Sequence, residues 1–242
     1  MPVPEAEMQA NAGDENRRRS RDPEQTRRDI LDAAIAEFSE HGLSGARVDA
    51  IAARTRTTVR MIYYYFGSKE GLYRTVLEQS YGAMRKAEAG LALHGLAPAD
   101  AIRRLVEFVF DYQEAHPEFT RLVSIENIHR ARHLAVSETI QKQNATVMEA
   151  LAAILERGQE QGVFRKDAAP LGLHMLMTAF CFFRVSNRYT LGTIFRDDPL
   201  SPALRAAHKE MAVASVLGYL QAGATAPAPH QGRQPQGARR KA

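Results

Sequence analysis

The stretch VRMIYYYFGSKEGL, residues 59–72, sets four consecutive aromatic side chains between two cations, Arg60 and Lys69. Successive side chains on a helix point about 100° apart, so a single face cannot hide all four rings. At least one or two must face outward. Exposed rings beside basic residues are suited to nucleic acid, with cations and hydroxyls for phosphates and forked side chains for base edges. From Ala46 to Lys69 the bases Arg47, Arg54, Arg56, Arg60 and Lys69 stand against one acid, Asp49. The competing reading is an aromatic core cluster with solvated basic flanks, since aromatic side chains mostly pack.

Three further sets carry possible chemistry. Glu126, His129 and His133 lie at helical spacing, and the i, i+4 histidine pair could hold a metal. Three ligands without a fixed acidic or cysteine partner favour a solvated polar stripe instead, and no metal is assigned. Arg184, Asn187 and Arg188 share a helix face. The arginines could grip a carboxylate in a pocket lined by Phe108, Tyr112, Met177 and Phe180, or simply pair with acids at the surface. A buried Arg184 would need an internal anion, and Glu126 is the candidate. The aromatic and methionine stripe (Phe108, Tyr112, Met175, Met177, Phe180, Phe183) is core by default, with part of it available to line a cavity. Catalytic motifs are missing: there is no Gly-rich phosphate loop and no nucleophile elbow, and Cys181 is the only cysteine. The expectation is a non-enzyme without a cofactor.

The elements that must position these residues read as helices throughout. Asp22-Pro23-Glu24-Gln25 offers an N-cap, a first-turn proline and a capping-box residue. Ile30, Leu31, Ala34, Ile35 and Phe38 supply the inward stripe, and Gly42 the stop. Short helices over residues 48–54 and 58–66 flank the turn Thr55-Arg56-Thr57, and Ser68 caps a long helix reaching about Ala89. Two short helices joined by a three-residue turn form a helix-turn-helix, whose second helix enters the DNA major groove. The fold class is therefore all-α. Residues 1–21 read as a flexible arm ending in RRRSR, 22–68 as the DNA-binding head, 69–223 as linking helix and body, and 224–242 as a disordered tail.

The run RRDILDAAIAEFSEHGLSGARVDAIAARTRTTVRMIYYYFGSKEGLY, residues 27–73, resembles the TetR family of bacterial transcription regulators. Its most specific part is MIYYYFGSKEGL, which matches the family pattern through Tyr63, Phe66, Lys69 and Glu70. The resemblance implies that Tyr63 offers its hydroxyl to a DNA phosphate and that Tyr64 lies on the groove side. Lys69 at a helix N-terminus suits a phosphate, Arg47, Thr57 and Thr58 fall beside the backbone, and Arg60 suits a bidentate contact to guanine. One departure stands out: the family usually has glycine in the turn, where this chain has Arg56. A positive φ there costs an arginine roughly 1 kcal/mol, so either mild strain or a reshaped turn is expected.

Beyond Leu91 the stripe Ile102, Leu105, Val106, Val109 and Phe110 marks an amphipathic helix. A helix opened by Pro117 is read as running to Leu134, and a long one over residues 136–161. The helix from Pro170 to Phe183 is apolar almost all round and must be covered on more than one side. The last, residues 201–222, carries Ala212, Ser215 and Gly218. The simplest cover for the last two long helices is their copies in a second subunit, which the resemblance also implies; cover within one chain is the alternative. Around SIENIHRARHL and FCFFRVSNRYTLGTIF the chain is also similar to TetR-type regulators of aromatic or heterocyclic catabolism, implying a small, carboxylated effector. Partners expected are an operator duplex, a second copy and an effector. An activator or a ligand-independent DNA-binding protein is the alternative. No apolar run spans a bilayer and no secretory h-region opens the chain, so a cytoplasmic, nucleoid-associated location is expected.

Overall fold

The computed structural model describes residues 22–224, so the expected arm and nearly all of the expected tail lie outside the described residues. Ten α-helices follow one another: α1 Pro23–Gly45, α2 Val48–Thr55, α3 Val59–Phe66, α4 Lys69–Ala89, α5 Pro98–Ala115, α6 Pro117–Ile128, α7 Glu138–Glu160, α8 Pro170–Ser186, α9 Arg188–Phe195 and α10 Pro202–Gln221, with a 3-10 turn at Leu93–Gly95. No strand occurs among the described residues.

The caps legible in the sequence are in place. Asp22 accepts from the Glu24 amide, Thr58 from Met61 and Ser68 from Gly71. Gly42 breaks the helical backbone of α1 with a φ of 65°, as read, and a short further helical stretch follows it to Gly45. Arg56 takes the left-handed conformation (φ 53°, ψ 32°) at the end of α2. The turn thus keeps the shape that glycine would supply and carries the strain of an arginine. Gly71 is required by close approach: a Cβ there would sit 2.1 Å from the Phe66 carbonyl oxygen, where the first turn of α4 passes under the end of α3.

Two cores form. One gathers Ile30, Leu31, Ala34, Phe38, Ile51, Ala52 and Ile62 from the three-helix head, closed by Leu72, Tyr73, Val76 and Leu77 of α4 and by Leu122 and Ile140 of the body. The other lies among α4, α5, α7, α8 and α10, around Ile102, Leu105, Phe110, Leu155, Met177 and Val213. The head's core therefore extends past residue 68 into the long helix and the body. Packing of α1 on α6 continues the same seam.

Three readings need correction. Helix α6 ends at Ile128, not near Leu134, because Arg130 and Ala131 adopt positive φ and turn the chain back. His129 and His133 are consequently not a helical i, i+4 pair, and no metal-binding cluster of three side chains forms among the described residues. A separate helix, α9, follows α8 where the sequence reading had none.

Relief of the Arg56 strain is measurable. Arg56→Gly should stabilise the protein by up to roughly 0.5 kcal/mol, the left-handed cost less the added chain entropy of glycine. A higher urea midpoint at unchanged slope is the expected result; a lower midpoint would show that the arginine is not strained.

Candidate nucleic-acid interface and ligand cavity

The interface starts with α1, which positions α2 through a buried acid. Glu37 is 3% exposed. It accepts the Arg47 amide at 3.0 Å and pairs at 3.5 Å with the half-exposed Arg54, which is held as its counter-ion in the last turn of α2. Nothing in the spacing of Glu37 marked it for this role. The Arg47 guanidinium makes two hydrogen bonds to Asp49, at 3.2 and 2.6 Å, on the open surface. That pair holds the Asp49 carboxyl below its usual range, first through the hydrogen bond, and raises the arginine. Arg47 must exchange Asp49 for any phosphate it meets.

Helix α3 divides its aromatics as a two-turn helix must. Ile62 is fully buried, Tyr65 and Phe66 are half-buried, and Met61, Tyr63 and Tyr64 are exposed. Phe66 also lies under the Arg27 guanidinium, 5.4 Å from its centroid. Tyr64 is the most exposed ring at 79%, with its edge against Tyr65 at 5.5 Å. Arg60 is exposed on the same short helix, with no ion pair among the described residues. The Thr58 hydroxyl oxygen caps α3 by accepting from Met61 at 3.2 Å, and Thr57 precedes it in the turn. Lys69 begins α4, with Nζ 3.4 Å from the Ser44 carbonyl. Arg47, Thr57, Thr58, Arg60, Tyr63, Tyr64 and Lys69 thus all lie on the turn, on α3 or at the N-terminal ends of α2 and α4. This arrangement offers hydroxyls and cations to a backbone and one arginine fork to base edges.

The residues expected around a carboxylate pocket are not gathered round one cavity. Arg184 is 2% exposed and its partner is Glu114, not Glu126, with Nη2 2.6 Å from Oε2. It also donates to the Pro199 carbonyl and lies over the Phe110 ring at 3.9 Å. Arg188 pairs with Asp198 at 2.6 Å on the surface. Met177 is core, while Phe108, Tyr112 and Phe180 are half-buried against it. Glu126 is fully buried elsewhere, accepting the Tyr73 hydroxyl at 3.0 Å with His133 Nδ1 at 2.8 Å. The carboxyl nearest Arg184 on α5 decides the pairing, and helical spacing could not show it.

Two of the concavities among the described residues bear on the head and the body. A cleft of about 510 Å³ lies on the head–body seam, bordered by His41, Thr120, Arg121, His129 and Tyr189, where Arg121 bridges Glu40 of α1 and the Tyr189 hydroxyl. A smaller cavity of about 140 Å³ lies between α4, α5 and α7, lined by Arg85, Glu88, Leu93, Leu105, Gln143 and Val147 among others. Its polar members carry no signal in the sequence, because Arg85 and Glu88 look like an ordinary solvated i, i+3 pair.

Comparison with known proteins agrees with this architecture. Residues 30–76 match the family model for bacterial regulatory proteins of the tetR family, and residues 98–216 that for the tetracyclin repressor-like C-terminal domain. The HTH-type transcriptional repressor NicS of Pseudomonas putida is 38% identical over 74% of this chain and 85% of its own. The HTH-type transcriptional repressor SCO4008 of Streptomyces coelicolor is 36% identical over 62% of this chain and 73% of its own. The crystal structure of SCO4942, also from Streptomyces coelicolor, superposes with a TM-score of 0.60 at 28% identity, covering 77% of this chain and 96% of that one. With an exposed helix-turn-helix on a helical body and both parts matched, the chain belongs to the TetR family and is a DNA-binding transcriptional repressor.

Proposed function

We propose that this repressor works as a homodimer on a palindromic operator and is released from it by a small molecule bound in the body. The observation that carries the reading is the two-sided character of α8. Its buried side is Leu173, Met177, Cys181 and Arg184; its other side, Leu171, Met175 and Phe183, is more than half exposed. Beside it α10 exposes Met211 and Tyr219 along with Ser215 and Gly218, while Ala212, Val213 and Val216 face the core. Two adjoining helices with large apolar groups in water suit burial against their symmetry copies. A two-fold pair of heads then matches a two-fold repeated half-site.

Each head would place α3 in the major groove, with Arg60 toward a base and Tyr63, Thr58, Arg47 and Lys69 toward phosphates. The cavity between α4, α5 and α7 is the preferred effector site, because α4 has Lys69 at one end and Arg85 and Glu88 near the other. A ligand held there acts on the helix that meets the DNA. To weaken DNA affinity a thousandfold it must prefer the released state by roughly 4 kcal/mol.

Substitutions in the head should separate two kinds of contact. Lys69→Ala is expected to weaken binding to all duplexes alike, since phosphates carry no base identity. Arg60→Ala should cost roughly 1–3 kcal/mol on the preferred duplex and relax one position per half-site. Selection from a random duplex library reads both, and uniform losses for both variants would remove Arg60 as a base reader. For the assembly, Met175→Glu should convert a dimer to a monomer in sedimentation equilibrium. An unchanged mass would place the interface elsewhere.

A further inference from the structure

The cavity between α4, α5 and α7 holds three buried polar atoms without a hydrogen-bond partner: Arg85 Nε, Glu88 Oε2 and Gln143 Oε1. A buried polar group left unpaired loses its hydration without a replacement bond, which is unfavourable. Three such groups around one void mark a receptor more than a packed core. Arg85 and Glu88 are only 12% and 13% exposed and sit 2.7 Å apart as an ion pair, yet that contact leaves Glu88 Oε2 without hydrogen-bond geometry. The remaining lining is mostly apolar, with Leu93, Leu105, Val147 and Ile154 beside small alanines, and adds His94 and Thr146. A cavity of about 150 Å³ accommodates benzene, and this one measures about 140 Å³, so one ring fills it.

Charge and hydrogen-bond count then select the ring. The arginine and the glutamate cancel, and a ligand with a full charge would leave one ion uncompensated in a desolvated site. Arg85 Nε–H needs an acceptor, whereas the Glu88 and Gln143 oxygens need a donor. Burial pushes the Glu88 carboxyl up and the Arg85 guanidinium down, each opposed by attraction to the other.

We infer that the cavity takes a neutral single-ring heterocycle with a lactam-type edge, a ring carbonyl next to a ring N–H. The carbonyl accepts from Arg85 Nε, and the N–H donates to Gln143 Oε1 or Glu88 Oε2. This assignment names the chemical class for the effector site proposed above and rests on that reading for its regulatory meaning. It replaces the carboxylated effector expected from the sequence.

The test uses the full chain and 2-pyridone, the simplest ring with this edge, titrated by calorimetry. Saturable binding is expected, weaker by at least tenfold for 1-methyl-2-pyridone, which lacks the donor, and for benzoate, which carries a charge. Gln143→Leu should weaken 2-pyridone at least tenfold. Ala150→Trp, at an exposed lining position, should block it, with both variants still binding the library-selected duplex. Absence of 2-pyridone binding, equal binding of the methylated ring, tighter binding of benzoate, or unchanged binding by either variant would overturn the assignment. If 2-pyridone binds as described but leaves the protein on DNA, the chemical class stands and the effector reading fails.

Discussion

A carboxylate with no access to water must have its oxygens satisfied by the protein, and Glu126 meets that demand from two directions at once. Oε1 accepts the hydroxyl of Tyr73, from the helix that closes the head, and lies against the His133 ring. Oε2 accepts the backbone amides of His133 and Leu134 at 3.2 and 3.4 Å, in the chain that leaves α6. The Tyr73 ring meets Phe38 of α1 and the His133 ring edge-on, each at 5.0 Å. Burial and the nearby charge of Glu126 push the tyrosine hydroxyl well above its ordinary range, which keeps it a donor. Leaving one oxygen of such a buried group without its hydrogen bond costs about 1–3 kcal/mol. The end of α6, the angle of α4 and the seat of the head therefore form one constrained unit.

That unit gives the proposed regulation a physical route. Helix α4 has 21 residues and spans about 30 Å, with Lys69 at its DNA end and the Arg85–Glu88 pair near its far end. Its middle is held by Tyr73 to Glu126 and by Glu78, which accepts from Ser137, the cap of α7. A rigid element pinned at its middle transmits a displacement at one end to the other. The energy available is only the difference in ligand affinity between the two positions.

Local signals made the head legible in the sequence. Asp22, Thr58 and Ser68 are caps acting within three residues of themselves, and the arginine in place of the family's usual glycine pointed to either strain or a reshaped turn at Arg56, of which the positive φ is the first. What failed depended on distant partners. Glu126 and Glu114 are equally plausible acids for Arg184 by composition, and only the packing of α5 on α8 chooses Glu114. The turn at Arg130 and Ala131 has no glycine or proline to announce it. The cavity was invisible because Gln143 and Arg85 are 58 positions apart and each looks solvated by itself.

Repression as proposed requires that the chain meet DNA with the face made by α3 and the starts of α2 and α4. The most direct test is the salt dependence of affinity for the selected palindromic duplex. Arg47, Lys69 and the basic residues around them, doubled by symmetry, should release counterions and give a log–log slope on the order of −5 to −9. A slope near zero would contradict the account.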